Sequence, residues 1–351
     1  MKTLSLFQAN LPLIPSISAW YISSIMESKG KQILFSYQSP QKLKALREHA
    51  LIQSAVSSNR IEGVTIDASR INTVILGKPL YRDRNEEEIG GYRECLNLIH
   101  SSGKSLKVNE SNILDFHRHT KGELWDSGKY KEKDGSIIET YSDGSSRVRF
   151  ETVAAAQTQG YMNQLLELWY TMSIDTNIPF LVLLAAFNLD FLCIHPFRDG
   201  NGRVSRLLLL LQAYHGDFEV GRYISLERII EENKERYYET LEQSSKNWHE
   251  GQHDPWPYIQ FILYVFKIAY KEFEDRIEQI GSVKGEKSQL ILNVIDKLPT
   301  QFSMKDVQTA CPGVSIDLIR FVLKELKDNR NIECISRGRT AIWKKCDNYS
   351  Q

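Results

Sequence analysis

Apolar positions recur every three or four residues along most of this chain, a spacing that predicts a mainly α-helical protein. From Gln41 to Ile61 the residues Leu43, Leu46, Ala50, Ile52, Ala55 and Val56 mark one helix, and Gly63 is its stop signal. The pattern resumes over Glu86–His100, Ser111–Leu124, Val153–Tyr170, Ser225–Ser244 and Pro255–Ile280. It fails between Ser136 and Phe150, where Ile137, Ile138 and Tyr141, then Val148 and Phe150, flank Ser142-Asp143-Gly144-Ser145; this predicts a β-hairpin. Pro179 opens a strongly apolar helix to about Ile194, and another runs from about Gly202 through Leu207–Leu211. A helix apolar all round is a buried one, so this pair is expected at the centre of the main domain.

Residues Gly281 to Lys287 read as a linker. Three short helical patterns follow (Ser288–Leu298, Ser303–Cys311, Ser315–Asp328). Two strand-like pieces close the region, Ile332–Ile335 and Thr340–Trp343, turning at Arg337-Gly338-Arg339. Three helices and a hairpin are the order of a winged helix. The expected organisation is an N-terminal helical region over 1–100, a core domain over 101–280 and a winged-helix-like domain over 286–346.

Composition narrows the function classes. Lys plus Arg and Asp plus Glu balance at 44 each, which argues against a chain built wholly around nucleic acid or an anionic membrane. The five cysteines are scattered without a CxxC pair and read as reduced thiols of a cytoplasmic protein, with Cys193 in the core. Gln8, Asn10, Pro12 and Pro15 break up the start, so no signal peptide is expected. The longest apolar stretch, Phe180–Ile194, holds Asn188 and Asp190 and is too short to cross a bilayer; no membrane partner is expected.

The chemistry concentrates between the two apolar helices, in His195-Pro196-Phe197-Arg198-Asp199-Gly200-Asn201-Gly202-Arg203-Val204-Ser205-Arg206. Gly200 and Gly202 let the backbone turn tightly and approach a ligand. The helix that follows offers unpaired N–H groups, a ready anion site. Arg203 and Arg206 lie three apart, on one face of its first turns, where cations oppose the macrodipole. Local rules broken together point to a functional site, and a bound polyanion is the simplest cause. Asp199 would repel phosphate unless a cation intervenes, which suggests Mg²⁺ with few protein ligands. His195 has the unperturbed pKa of a base at neutral pH. The plainer alternative is a polar loop with an Asp199–Arg203 ion pair and His195 as a cap.

These twelve residues resemble the signature of Fic-domain proteins, His-x-Phe-x-(Asp/Glu)-Gly-Asn-Gly-Arg-x-x-Arg, at every defined position. The resemblance extends to the hairpin, similar to the family's substrate-docking flap, and to Tyr237-Tyr238, similar to an aromatic pair near the nucleotide base. It covers about residues 40 to 270 and implies a Fic-type helical domain that transfers AMP from ATP to Ser, Thr or Tyr hydroxyls of a protein, releasing pyrophosphate. By that analogy His195 is the general base and Asp199 holds Mg²⁺. Asn201 with the backbone of Gly200 and Gly202 forms an anion hole, Arg203 serves the inner phosphates and Arg206 the γ-phosphate. The segment Ser58-Asn59-Arg60-Ile61-Glu62-Gly63 resembles the family's inhibitory motif, (Ser/Thr)-x-x-x-Glu-(Gly/Asn), placed before the core as in the N-terminally inhibited class. A carboxylate in a last helical turn faces the wrong end of the dipole. Paired with Arg206, Glu62 would deny that arginine to the γ-phosphate, and a bidentate pair would be strong enough to do so.

Other features are read more plainly. His117 and His119, and His249 and His253, lack clustered Cys or carboxylates, so zinc is not expected. Trp169-Tyr170 and Phe261, Tyr264, Phe266 and Tyr270 read as core. Over the C-terminal domain Lys and Arg are in mild excess, with Arg330, Arg337, Arg339, Lys344 and Lys345 near the wing. Homodimerisation or other protein contact, and DNA contact, both fit that domain. Two other functions fit the whole chain: a DNA-binding regulator whose Fic domain senses nucleotide, and a de-AMPylase or a transferase using another nucleotide.

Overall fold

The computed structural model describes every residue except 37–39, 78–79, 123, 141–142, 175–176, 281–285, 312–313, 337, 339–340 and 347–351. Fifteen α-helices, a short 3₁₀ helix (Glu219–Arg222) and five short strands are formed among the described residues. The chain divides into two compact units, Met1–Met26 with Leu46–Tyr270, and Glu27–Ala45 with Lys271–Gln351. No helix of the described residues is long and apolar enough to cross a membrane.

The helices are α1 (Thr3–Ala9), α2 (Ser16–Ser36), α3 (Pro40–Ile61), α4 (Ile71–Leu76), α5 (Arg84–Ser102), α6 (Glu110–Lys121), α7 (Ala155–Ile174), α8 (Phe180–Ile194), α9 (Asn201–His215), α10 (Leu226–Glu232), α11 (Lys234–Ser245) and α12 (Trp256–Ile280). In the C-terminal part α13 (Glu286–Lys297), α14 (Met304–Ala310) and α15 (Ile316–Asp328) follow. The expected central pair is α8 and α9. Every α8 residue from Leu181 to Ile194 is buried. Its two polar residues are satisfied: Asn188 donates to the Ser205 carbonyl and accepts from the Tyr258 hydroxyl. Asp190 accepts from the N–H groups of Thr3 and Leu4 and from the Trp248 indole, so it anchors the start of α1.

Several boundaries differ from the sequence reading. Pro179 is the cap of α8 rather than a residue within it. The helix expected over Ser225–Ser244 is two, because the Asn233 amide bonds back to the Ile229 carbonyl and its backbone leaves the helical region. Helices α1, α2 and α4 were not anticipated. Tyr170, read as core, is 72% exposed, while Trp169 beside it is buried against Phe180 and Phe187.

Strands β1 (Ser136–Thr140) and β2 (Ser146–Glu151) pair antiparallel, with an irregularity between Ile137 and Ile138. Their turn was read at Ser142–Ser145, of which Ser142 lies outside the described residues, as does most of the linker read at 281–287.

The C-terminal part carries the helix order and closing hairpin that its pattern predicts. An additional strand forms: β3 (Gln301–Ser303), β4 (Ile332–Ser336) and β5 (Ile342–Lys345) make one antiparallel sheet in the order β3-β5-β4. Ile319, Val322, Leu323 and Leu326 of α15 face its core with Ile291, Ile295, Phe302 and Val307. Arg337 and Arg339 of the basic group lie outside the described residues. Lys344 pairs with Glu333 at 3.5 Å, and Lys345 donates to the carbonyls of Asp296 and Leu298.

Candidate active site

Helix α8 ends at His195, whose backbone is left-handed at φ 50°, with its N–H still bonded to the Phe191 carbonyl at 3.0 Å. This conformation, uncommon outside glycine, turns the chain into the loop before α9. The loop is closed from within. Asn201 accepts from the Phe197 N–H at 2.9 Å and donates to its carbonyl at 2.8 Å, so the amide that the sequence reading set in the anion hole holds the loop shut. Phe197 is buried against the His117 ring, stacked at 3.9 Å. His117 accepts from the Gly128 N–H through Nδ1 and therefore donates from Nε2 to the Asp199 carbonyl, at 3.0 Å. Burial pushes its pKa down to about 4, which keeps the ring neutral. Gly200, at φ 85°, caps α9 in a conformation that favours glycine.

The two arginines are buried. Arg206 donates from Nε to the Ser58 hydroxyl (2.8 Å), and from Nη2 to the Ser58 carbonyl (2.9 Å) and Glu62 Oε1 (2.8 Å). The expected bidentate pair is thus single-armed. Ser58 and Glu62 lie four residues apart and share the guanidinium between them. Burial disfavours the charge on Arg206, yet Glu62 raises its pKa above the ordinary arginine value. Glu62 follows the last residue of α3, and Gly63 (φ 82°) ends that helix with Gly63 and Val64 bonded back to Arg60 and Asn59. Lys234 caps the Ile61 carbonyl at 2.7 Å. The Glu62 carboxylate reaches the first turn of α9, where a Cβ on Gly202 would lie 2.2 Å from Oε1.

Arg203 bonds Glu88, and its Nη1 also donates to Asn59 and the Thr120 carbonyl at 3.3 Å. Its Nη2 is 3.8 Å from Asp199. Glu88 also takes Arg84 at 2.8 Å and Lys121 at 3.3 Å, and Lys121 bonds Asp199 at 2.5 Å. Burial alone would raise the Asp199 pKa, but Lys121 holds it below the usual carboxylate range. Sequence reasoning missed Glu88, Lys121 and the part His117 plays. Glu88 is one of three consecutive glutamates and Lys121 is an ordinary helix-end lysine, so neither carries a local signal. Among the described residues no three His, Cys, Asp or Glu side chains gather as metal ligands. Asp199, with its side chain 62% exposed, offers one carboxylate just before α9, a donor that would suit a magnesium ion drawing most of its ligands from phosphate and water.

His195 opens onto a cavity of about 350 Å³ lined by Glu62, Gly202, Tyr237, Tyr238 and Ser245 and by hairpin residues including Ile138 and Arg149. Arg203, Arg206, Asp199 and Asn201 are not in that lining; Arg206 sits beneath Glu62. His195 Nδ1 donates to the Leu192 carbonyl at 3.3 Å, which leaves Nε2 with its lone pair and no hydrogen-bond partner among the described residues. Burial, then the charge of Lys131, pushes its pKa down to about 4. The ring is therefore neutral at pH 7. The hairpin is latched to α11: Arg149 bonds the Tyr238 carbonyl and, with Arg147, pairs with Glu242 at 3.0 and 2.9 Å.

Residues 107–213, which contain this loop, match the Fic/DOC family model. The chain is 24% identical over 265 residues to a protein adenylyltransferase Fic of Nematostella vectensis, covering 73% of this chain and 56% of that one. It thus spans little more than half the length of the curated relative it matches. A Fic family protein from Desulfovibrio desulfuricans G20 has a similar structure (TM-score 0.61, 20% identity, 96% of this chain and 98% of that one). So does a Fic domain containing signaling protein from Bacteroides thetaiotaomicron VPI-5482 (TM-score 0.59, 18% identity, 74% and 98%). The loop lies within the matched residues, and residues 107–213 form a Fic/DOC family domain.

Proposed function

We propose that this protein is an adenylyltransferase that moves AMP from ATP to a Ser, Thr or Tyr hydroxyl of a target protein, and that Glu62 holds the reaction off. The observation that carries this reading is the meeting, in one cavity, of a neutral His195 with free Nε2 and a Glu62 carboxylate laid on the start of α9 and bonded to Arg206. Nε2 takes the proton of the target hydroxyl as its oxygen attacks the α-phosphorus. The bond to the bridging oxygen breaks, pyrophosphate leaves, and AMP stays on the target. Tyr237 and Tyr238 wall the cavity where a base would lie, and Arg203 and the N–H groups opening α9 serve the phosphates. Asp199 would hold magnesium, which when bound neutralises phosphate charge. The hairpin, at the mouth of the cavity, would dock the target by strand pairing. The domain layout, and protein or DNA contact through a winged-helix-like C-terminal domain, belong to the same proposal.

Glu62 lies in the anion position and occupies Arg206, so ATP can enter only in a pose whose γ-phosphate lacks its arginine. Replacing Glu62 with Gly frees Arg206. If the blocked pose is favoured by about 3 kcal/mol, transfer rises on the order of a hundredfold. Arg206→Ala in the same background cancels the gain. The measurement is labelling of protein by ATP radiolabelled at the α-phosphate, with thermal melts to check folding. Equal labelling by wild type and a folded Glu62→Gly variant would remove the support for inhibition. Absence of labelling from both, with AMP released from a modified protein instead, would favour the reverse reaction.

A further inference from the structure

His195 keeps a left-handed backbone that a side-chain-bearing residue adopts only at a cost of roughly 1–3 kcal/mol, and only where the surroundings enforce it. Two of the contacts that flank it come from one residue. The Lys131 N–H donates to the Pro196 carbonyl at 2.9 Å, and its ammonium donates to the Ile194 carbonyl at 3.2 Å. Lys131 therefore grips the carbonyls of the residues on either side of His195. The same ammonium donates to the Thr152 hydroxyl at 2.7 Å, and that hydroxyl donates to the Gly135 carbonyl at 2.6 Å. Gly135 immediately precedes β1 and Thr152 immediately follows β2, so these bonds cross the base of the hairpin.

We infer that Lys131 is a positioning residue for His195: it fixes the backbone that aims the imidazole and couples it to the base of the hairpin. This rests on the reading of His195 as the base and adds a residue to it. Stability does not explain Lys131, which is only 8% exposed and gives its ammonium a hydroxyl and a carbonyl rather than a carboxylate. Burial pushes its pKa down to about 8, with partial relief from Asp134. The charges acting on the His195 ring are Lys131, Glu62 from the end of α3 and Asp199 from its own loop; Lys131 opposes the other two in keeping the ring neutral. His195 also borders a second cavity of about 400 Å³, whose wall includes Lys131 and Thr152 but neither Tyr237 nor Tyr238. Lys131 thus acts on His195 from the side away from Tyr237 and Tyr238, and its loss should leave ATP affinity alone.

The test uses Lys131→Met, which keeps most of the stem and removes the donor, and Thr152→Val, which severs only the hairpin end. Both are made in the full chain with Glu62→Gly. Lys131→Met should lower kcat about tenfold or more while KM for ATP stays within about twofold; Thr152→Val should do the same more weakly. In ¹⁵N-histidine-labelled protein, the His195 ring should lose its single Nδ1–H tautomer in Lys131→Met. An unchanged tautomer and kcat in both variants overturns the inference, as does a parallel loss of ATP binding. If Glu62→Gly transfers no AMP, the proposed function fails, and the ring spectrum alone then judges Lys131. Should Lys131→Met not fold, Thr152→Val decides by the same two readouts.

Discussion

Helices α8 and α9 and the C-terminal helices α13–α15 are both held by burial, but they bury different things. In α8 and α9 the buried side chains include Asn188, Asp190, Asn201, Arg203, Ser205, Arg206 and Gln212 beside a run of leucines and phenylalanines. In the C-terminal part every buried side chain among the described residues is apolar or Cys311. There the helices follow ordinary rules: Ser315 caps α15, Ser303 and Asp306 form a capping box on α14, and one stripe faces the core. A core that only has to pack needs nothing more. Buried charge near the Fic loop must be matched partner by partner, and the matching is what arranges the groups for chemistry.

The largest effect expected from breaking this arrangement is on activity. His195→Ala should lower AMP transfer by about 10²–10⁴-fold while ATP affinity, measured calorimetrically, changes little, because the ring meets the target hydroxyl rather than the phosphates. Survival of transfer would leave the base unassigned.

The next effect is on stability and separates the two kinds of core. Glu88→Leu leaves Arg203 buried without its carboxylate and should cost about 3–5 kcal/mol, much of it recovered when Arg203→Met is added. Ile319→Ala in α15 should cost about 2–5 kcal/mol through a cavity, with no such partner to remove. Denaturant melts of the three variants distinguish these cases. A Glu88→Leu loss that Arg203→Met does not relieve would mean that the cluster is not matched by charge.

A third effect is with pH. Burial lowers the pKa of His100, His117 and His195 to about 4, from 6.5 in the unfolded chain. Between those values the unfolded state binds more protons. The stability of the surrounding helices is therefore whole above pH 6.5 and falls as pH drops toward 4. The C-terminal part has no histidine and should not share this loss. Segment-resolved hydrogen exchange, corrected for its intrinsic pH dependence, would show it; a uniform response across the chain would contradict the assignment.

The sequence by itself determined where most helices run, that α8 and α9 are central, that a hairpin breaks the helical pattern, and that polar groups concentrate from His195 to Arg206 between the two buried helices. These are properties of short stretches: periodicity, glycine placement, and charges set against local preference. Only the tertiary structure decided that Glu62 lies on Gly202 and Arg206, 144 residues along the chain, with one carboxylate arm and Ser58 taking the rest of the guanidinium. It alone brought Glu88 and Lys121 to Arg203 and Asp199, His117 under the loop, and Lys131 around His195. Each of these residues is unremarkable among its neighbours in sequence. A lysine at a helix end or one glutamate among three acquires a role only when packing removes water and leaves it one particular partner, and packing is not a local property of the chain.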